Sequence, residues 1–231
     1  VTTPSSTTTA PARFLLLGDS HAGPIGRAAQ AAGIGLAGGP LDISRRYPES
    51  FYDLGDGDVV FRKPATEQHY REFLAVLGVA RMADLRVPVV STLGFGVHVV
   101  AAVENWRIYR DDTGGFPPGF IGGGLFDEII TTYYGQTLDL YRHIRGMGVR
   151  VLGVMPPQRV PPEADPEVFF AAQQCIRREL LRLGVEVPDL RSRVTDETGF
   201  QRPELCDPDD FVHGNLAFGR LVLADLLDRG L

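Results

Sequence analysis

Phe14-Leu15-Leu16-Leu17-Gly18-Asp19-Ser20-His21 is the stretch from which the rest of the chain is read. Four consecutive apolar side chains closing on a glycine suit a strand buried on both faces of a parallel sheet. A strand with one wet face would instead alternate apolar and polar residues. The following segment, Pro24 to Ala32, reads as a helix, small and apolar on one side. A serine at such a strand-to-helix junction presents its hydroxyl at the edge of the sheet. Its own backbone N–H lies at the helix N-terminus, where a developing oxyanion is stabilised.

Working outward, short apolar runs keep alternating with amphipathic stretches. Gly33 to Pro40 is glycine-rich and reads as a turn, and Asp58 to Arg62 as a short strand. Thr66 to Leu85 reads as a helix, with Tyr70, Phe73, Leu74, Leu77 and Arg81 at helical spacing. Val87 to Leu93 and Val149 to Met155 read as strands, and Phe126 to Arg145 as one helix between them. Asp165 is placed to cap a helix whose first residue is Pro166, because proline there lacks only an N–H that would be orphaned anyway. That helix runs to Gly184. Val185 to Val187 is a last short strand, and Gly214 to Arg229 the closing helix. Residues 113–124 carry too much Gly and Pro for regular structure and read as a loop. Trp106, Tyr109, Phe116 and Phe120 in this region form either a lid over the site or a plug of core. The pattern predicts one three-layer α/β/α domain over residues 13–231, with a mostly parallel sheet of five strands. Ligands of such sheets bind beyond the carboxyl ends of the strands, where Gly18-Asp19-Ser20, Gly94-Phe95-Gly96, Pro156-Pro157 and Asp189 fall.

The chain has 231 residues and a formal net charge of −6. Its arginines are scattered apart from pairs such as Arg45-Arg46 and Arg177-Arg178, which argues against a nucleic-acid partner. Cys175 and Cys206 are far apart and in no metal-like spacing, so two reduced thiols are expected. Residues 1–12 are Ser/Thr/Pro-rich, with no basic and then apolar signal pattern, and read as a disordered leader. No run approaches the length of a membrane span. The expectation is a cytoplasmic protein.

A bare hydroxyl is a poor nucleophile, so Ser20 needs a base, and that base an orienting acceptor. Asp210-Phe211-Val212-His213, just before the last helix, supplies both. An aspartate three residues ahead of a histidine can curl back to hold Nδ1–H, leaving Nε2 to take the serine proton. Asp207 and Asp209 stand close by, and the three-residue step selects Asp210. The bland alternatives are a Ser20 that merely caps the helix and a His213 that is a surface histidine. His21 reads as a wall of the site or a cap partner, and His98 as a satisfied loop histidine. Asp19, His21, Asp210 and His213 are ligand types for a metal, but their spacing calls for none. The glycines from Gly18 to Gly26 lack the lysine and the spacing of a phosphate loop.

These two motifs resemble those of the SGNH/GDSL hydrolase superfamily. The match is carried by Gly18-Asp19-Ser20 after a hydrophobic strand and by Asp210-x-x-His213-Gly214-Asn215 with Gly219 in a Leu-rich helix. The spelling Gly-Asp-Ser-His also resembles the SGNH domains attached to membrane sugar O-acyltransferases. The resemblance spans the chain from Arg13 onward and implies a flavodoxin-like SGNH fold. It implies Ser20 as nucleophile and oxyanion donor, His213 as general base and then acid, and Asp210 as its orienting partner. Asp19 would brace the turn, and Asn215 belongs to the second motif. A glycine after the second strand, Gly38 or preferably Gly39, would give a further backbone donor. The family's Gly-x-Asn-Asp block is absent: here the stretch is Gly94-Phe95-Gly96-Val97-His98. Either His98 or Asn105 replaces the missing asparagine donor, or two backbone donors remain.

The expectation is therefore a serine esterase or deacetylase acting through an acyl-Ser20 intermediate on a small soluble ester such as an acylated sugar or natural product. No cofactor or metal is called for, and no nucleic-acid or membrane partner. Acyl transfer through the same three residues is one alternative. A non-catalytic small-molecule binding domain on the same scaffold is the other.

Overall fold

The computed structural model describes residues 10–41 and 50–231. The leader up to residue 9 and the Arg45-Arg46 pair lie outside them. Ala10 to Ala12, which composition assigns to the leader, run beside Gly35, where a Cβ would stand 2.5 Å from the Pro11 carbonyl oxygen.

The apolar run of the opening segment forms β1 (Leu15–Gly18), followed by α1 (Ala22–Ala31). The other sheet strands are β2 (Ala37–Pro40), β5 (Val89–Ser91) and β6 (Val151–Gly153), all parallel in the order β2-β1-β5-β6. Residues 37–40, read as a turn, are thus a strand. Gly38 is what lets it lie there, because a Cβ at Gly38 would stand 2.1 Å from the Leu16 carbonyl oxygen.

The fifth strand is reduced to one parallel bridge between Leu152 and Glu186. Gly184 precedes it in the left-handed region with φ 75°, and Pro188, with no N–H to donate, follows two residues after. Neither side can extend the ladder.

Period-two alternation distributes the strand residues between two cores. Leu15, Leu17, Val89 and Val151 face α2 (Pro64–Val76), α4 (Gly135–Gly146) and α5 (Pro166–Arg182). Phe14, Leu16, Val90 and Leu152 face α1 and α7 (Leu216–Asp228). The three layers are those expected.

Several boundaries differ. A hairpin of β3 (Tyr52–Gly55) and β4 (Asp58–Phe61) extends the expected strand at 58–62, turning on Asp56-Gly57 with Gly57 at φ 72°. An Asp-Gly pair is a strong hairpin signal, because the turn wants positive φ. The helix expected over 66–85 stops at Val76, closed by Gly78 in the left-handed region with its N–H on the Ala75 carbonyl. The helix expected over 126–145 is two, α3 (Gly124–Tyr133) and α4, divided at Tyr134, whose hydroxyl donates to the Gly96 carbonyl at 3.1 Å. Asp165 caps α5 as expected, accepting from the Val168 N–H at 3.1 Å.

Of the aromatics of 104–124, Trp106 is core, and Tyr109, Phe116 and Phe120 pack half-buried against that core. Trp106 is buried, donates through Nε1 to the Val100 carbonyl at 2.6 Å, and packs against Tyr109, Phe120 and Phe126. Both cysteines are free thiols. No helix among the described residues is long and apolar enough to cross a membrane.

Candidate active site

The β1–α1 junction is a tight construction. A Cβ at Gly18 would stand 2.3 Å from the Ala22 Cβ and 2.5 Å from Thr92 Oγ1, so only glycine fits where the strand ends. Asp19 is fully buried, and its carboxylate is spent on local structure. Its Oδ1 accepts from the His21 N–H at 2.9 Å and from Thr92 Oγ1 at 3.0 Å, while its own N–H donates to that Thr92 oxygen at 3.2 Å. Thr92, just past β5, thus ties the turn to the neighbouring strand. Its part was missed in the sequence, where a lone Thr after a strand carries no signal. With both flanking residues buried, Ser20 is left exposed at the carboxyl edge of the sheet.

The second element is the turn before α7. Asp210 Oδ1 accepts from the backbone N–H of Val212 at 2.8 Å and of His213 at 2.7 Å, so the carboxylate organises its own loop. Its other oxygen, Oδ2, lies 2.6 Å from His213 Nδ1. Burial pushes the Asp210 carboxyl up, but these three donors outweigh it and hold it below the ordinary range. An ionised carboxylate only accepts, so Nδ1 carries the proton and Nε2 is the free acceptor. His213 Nε2 lies 2.7 Å from Ser20 Oγ. Of the three neighbouring aspartates it is Asp210 that faces the imidazole.

Two further groups hold that turn. Asn215 caps α7, its Oδ1 accepting from Ala217 and Phe218 N–H while its amide donates to the Glu204 and Cys206 carbonyls. Arg159, in the loop after β6, donates through Nη1 to the carbonyls of Asp207 at 2.5 Å and His213 at 3.1 Å. Nothing local in the sequence marks Arg159, because its partners lie about fifty positions away and are backbone.

His21 packs its ring against that of His213, with centroids 4.8 Å apart. It is 5% exposed, and Nδ1 has no hydrogen-bond partner among the described residues. Desolvation lowers its pKa; Asp19 and Asp210 oppose that shift and His213 adds to it. With Gly96, His98, Pro156, Pro157 and Val212, His21 walls a narrow recess. His98 therefore belongs to the wall of this recess. Asn105 is placed elsewhere: its amide donates to the carbonyls of Val99 at 3.0 Å and Val100 at 3.3 Å and so holds its own turn. Gly39 lies on β2 in register with Leu17, with open space where a Cβ would stand. Two residues to either side of it, Ala37 and Leu41 donate their N–H groups to the carbonyls of Phe14, just before β1, and Gly18, at its end. Among the described residues, no three His, Cys, Asp or Glu side chains are grouped to hold a metal ion.

No protein-family model matches the sequence, and no curated protein does. Solved structures do match along the whole chain. A protein described as an SGNH hydrolase from Slackia heliotrinireducens superposes with a TM-score of 0.50 at 12% identity, covering 95% of this chain and 98% of that one. A GDSL-like lipase from Bacteroides thetaiotaomicron gives 0.48 at 13% identity, over 96% of this chain and 90% of that one. The psychrotrophic esterase EstA from Pseudoalteromonas gives 0.46 at 12%, over 93% and 94%. At such identities the likeness speaks to the architecture, and of these three the first carries it. The chain has the SGNH-hydrolase fold.

Proposed function

We propose that the protein is a serine esterase that hydrolyses small, short-chain carboxylic esters through an acyl-Ser20 intermediate. The observation that carries this reading is the unbroken relay from Ser20 Oγ to His213 Nε2 at 2.7 Å and from His213 Nδ1 to Asp210 at 2.6 Å. His213 takes the hydroxyl proton as Ser20 Oγ attacks the ester carbonyl, and the imidazolium is stabilised by Asp210. Collapse of the tetrahedral intermediate breaks the C–O bond, and His213 returns the proton to the departing alkoxide. Water, deprotonated by the same imidazole, then attacks the acyl-enzyme, releasing the acid and restoring Ser20.

The Ser20 N–H, at the head of α1, is the favoured oxyanion donor. The Asn105 amide is already occupied by the Val99 and Val100 carbonyls, so the reading rests on backbone donors. The recess walled by His21 and Val212 is narrow, which favours a small acyl group such as acetyl over longer chains. An exposed Ser20 leaves the acyl-enzyme open to water, which favours hydrolysis over transfer to an alcohol. An acetylated sugar or natural product is the specific form of substrate we favour.

A fluorophosphonate probe with a p-nitrophenyl ester series from acetyl to octanoyl tests the proposal. Labelling of the wild type but not of Ser20→Ala, with turnover falling as the acyl chain lengthens, is the expected result. Absence of labelling in both would instead indicate a binding domain.

A further inference from the structure

A second cavity opens beyond the carboxyl end of β6, at the edge where the fifth strand stops at a single bridge. It lies between α5 and the Pro188–Val194 segment, which includes α6 (Arg191–Val194), and reaches Phe218 of α7. Ser20, Asp210 and His213 do not line it. β5 separates β6 from β1, the strand that leads to Ser20, so the two strands are about 10 Å apart.

Its walls are of two kinds. Val154, Leu190, Val194 and Phe218 are apolar and continuous with the core beneath α1 and α7. The rest of the lining includes Gln158, Gln173, Arg177, Asp189 and Arg191. Gln173 is 3% exposed; its Oε1 accepts from Gln158 Nε2, and its own Nε2 is buried with no partner among the described residues. Arg177 Nε is in the same condition. Asp189 does not neutralise Arg177 closely: Arg191 grips both its oxygens, and Arg177 Nη2 stands 4.0 Å away. Two guanidinium groups and one carboxylate leave the wall with one net positive charge.

Buried amide N–H groups are almost always matched by an acceptor, and an apolar pocket with a few convergent polar groups is how proteins hold small molecules. Here the lining brings donors, one of them cationic, together with apolar side chains. We infer that this cavity is a binding site for a small monocarboxylate with an apolar body. The carboxylate accepts from Gln173 Nε2 and the Arg177 guanidinium, and the body lies against Val154, Leu190 and Phe218. The inference is independent of any activity at Ser20.

Calorimetric titration of the full chain with benzoate and hexanoate, against their neutral amides, tests it. Saturable one-site binding of a carboxylate at about 1 mM or tighter is expected, with the matching amide at least tenfold weaker. Arg177→Gln and Gln173→Leu should each weaken the carboxylate at least tenfold, whereas His213→Ala should leave it unchanged. Arg177 is partly exposed on a helix, so its variant remains a test even where Gln173→Leu fails to fold. Absence of saturable carboxylate binding would overturn the inference. So would equal affinity for acid and amide, an Arg177→Gln affinity equal to wild type, or loss of binding in His213→Ala.

Discussion

Gly219 of α7 meets the Pro24 carbonyl of α1 so closely that a Cβ there would stand 2.1 Å from that oxygen. α1 follows Ser20 directly and α7 follows His213 almost directly. This backbone-to-backbone approach therefore sets how near the hydroxyl and the imidazole come. Replacing Gly219 by Ala forces rigid backbone apart and is expected to cost about 3 kcal/mol. Urea denaturation measures it. Gly135→Ala, at the start of α4 with nothing within 4 Å of the new methyl, is the control and should be neutral or stabilising.

His213→Ala removes the base and should lower kcat for p-nitrophenyl acetate on the order of 10⁶-fold. Asp210→Asn should cost on the order of 10⁴-fold, because an amide no longer dictates which ring nitrogen carries the proton. Asp210→Ala is expected to be worse than Asn: it also releases the Val212 and His213 N–H groups that Oδ1 holds. Steady-state kinetics of the three variants rank them, and a His213→Ala enzyme at wild-type rate would refute the relay.

Arg159 is a positioning residue. Its guanidinium ties the Asp207 and His213 carbonyls to the loop after β6. Arg159→Ala should lower kcat by about tenfold, roughly 1.4 kcal/mol of activation free energy, with KM little changed. Lysine, which keeps a charged donor, should recover part of the loss. A shift in KM alone would contradict this role.

His21 should stay neutral below its ordinary value of 6.5, since burial lowers its pKa. The unfolded chain then binds the proton more readily than the folded one. Stability accordingly falls as pH drops below that value and levels off once the folded imidazole protonates. His21→Gln should flatten this part of the stability profile. Imidazole chemical shifts followed by NMR across pH 4–8 report the titration directly, at about one pH unit per tenfold change in protonation.

Asp58 has the opposite sign. Burial raises its pKa, but Arg71, the Tyr70 hydroxyl and the Met82 N–H outweigh that and hold it below the ordinary 3.8. Its stabilisation is full above that value and is lost as pH falls through the lower folded one. Asp58→Asn should lower stability at pH 7 by about 1–3 kcal/mol and remove this acid-side slope in denaturation experiments.

Much of the architecture was legible in the sequence because its causes are local. A run of buried apolar residues ending in glycine makes β1, Asp165 with Pro166 starts α5, and a carboxylate three residues before a histidine closes its own turn. Glycine punctuation was legible too and was read through at Gly78. The Asp56-Gly57 turn was there to be seen, although strand periodicity alone does not reveal it.

Sequence by itself determined the alternation of β1, β4, β5 and β6 with helices, the serine at the first junction and the pairing of Asp210 with His213. All of these rest on residues within a few positions of one another. Tertiary structure alone decided that Ser20 meets an imidazole 193 positions away, through the contact of Gly219 with Pro24. It also decided that Trp106 fills core, with its aromatic neighbours half-buried against it, and that Asn105 serves its own turn. These depend on which surfaces pack together across long stretches of chain, where burial and backbone approach set the geometry and no short-range pattern records it.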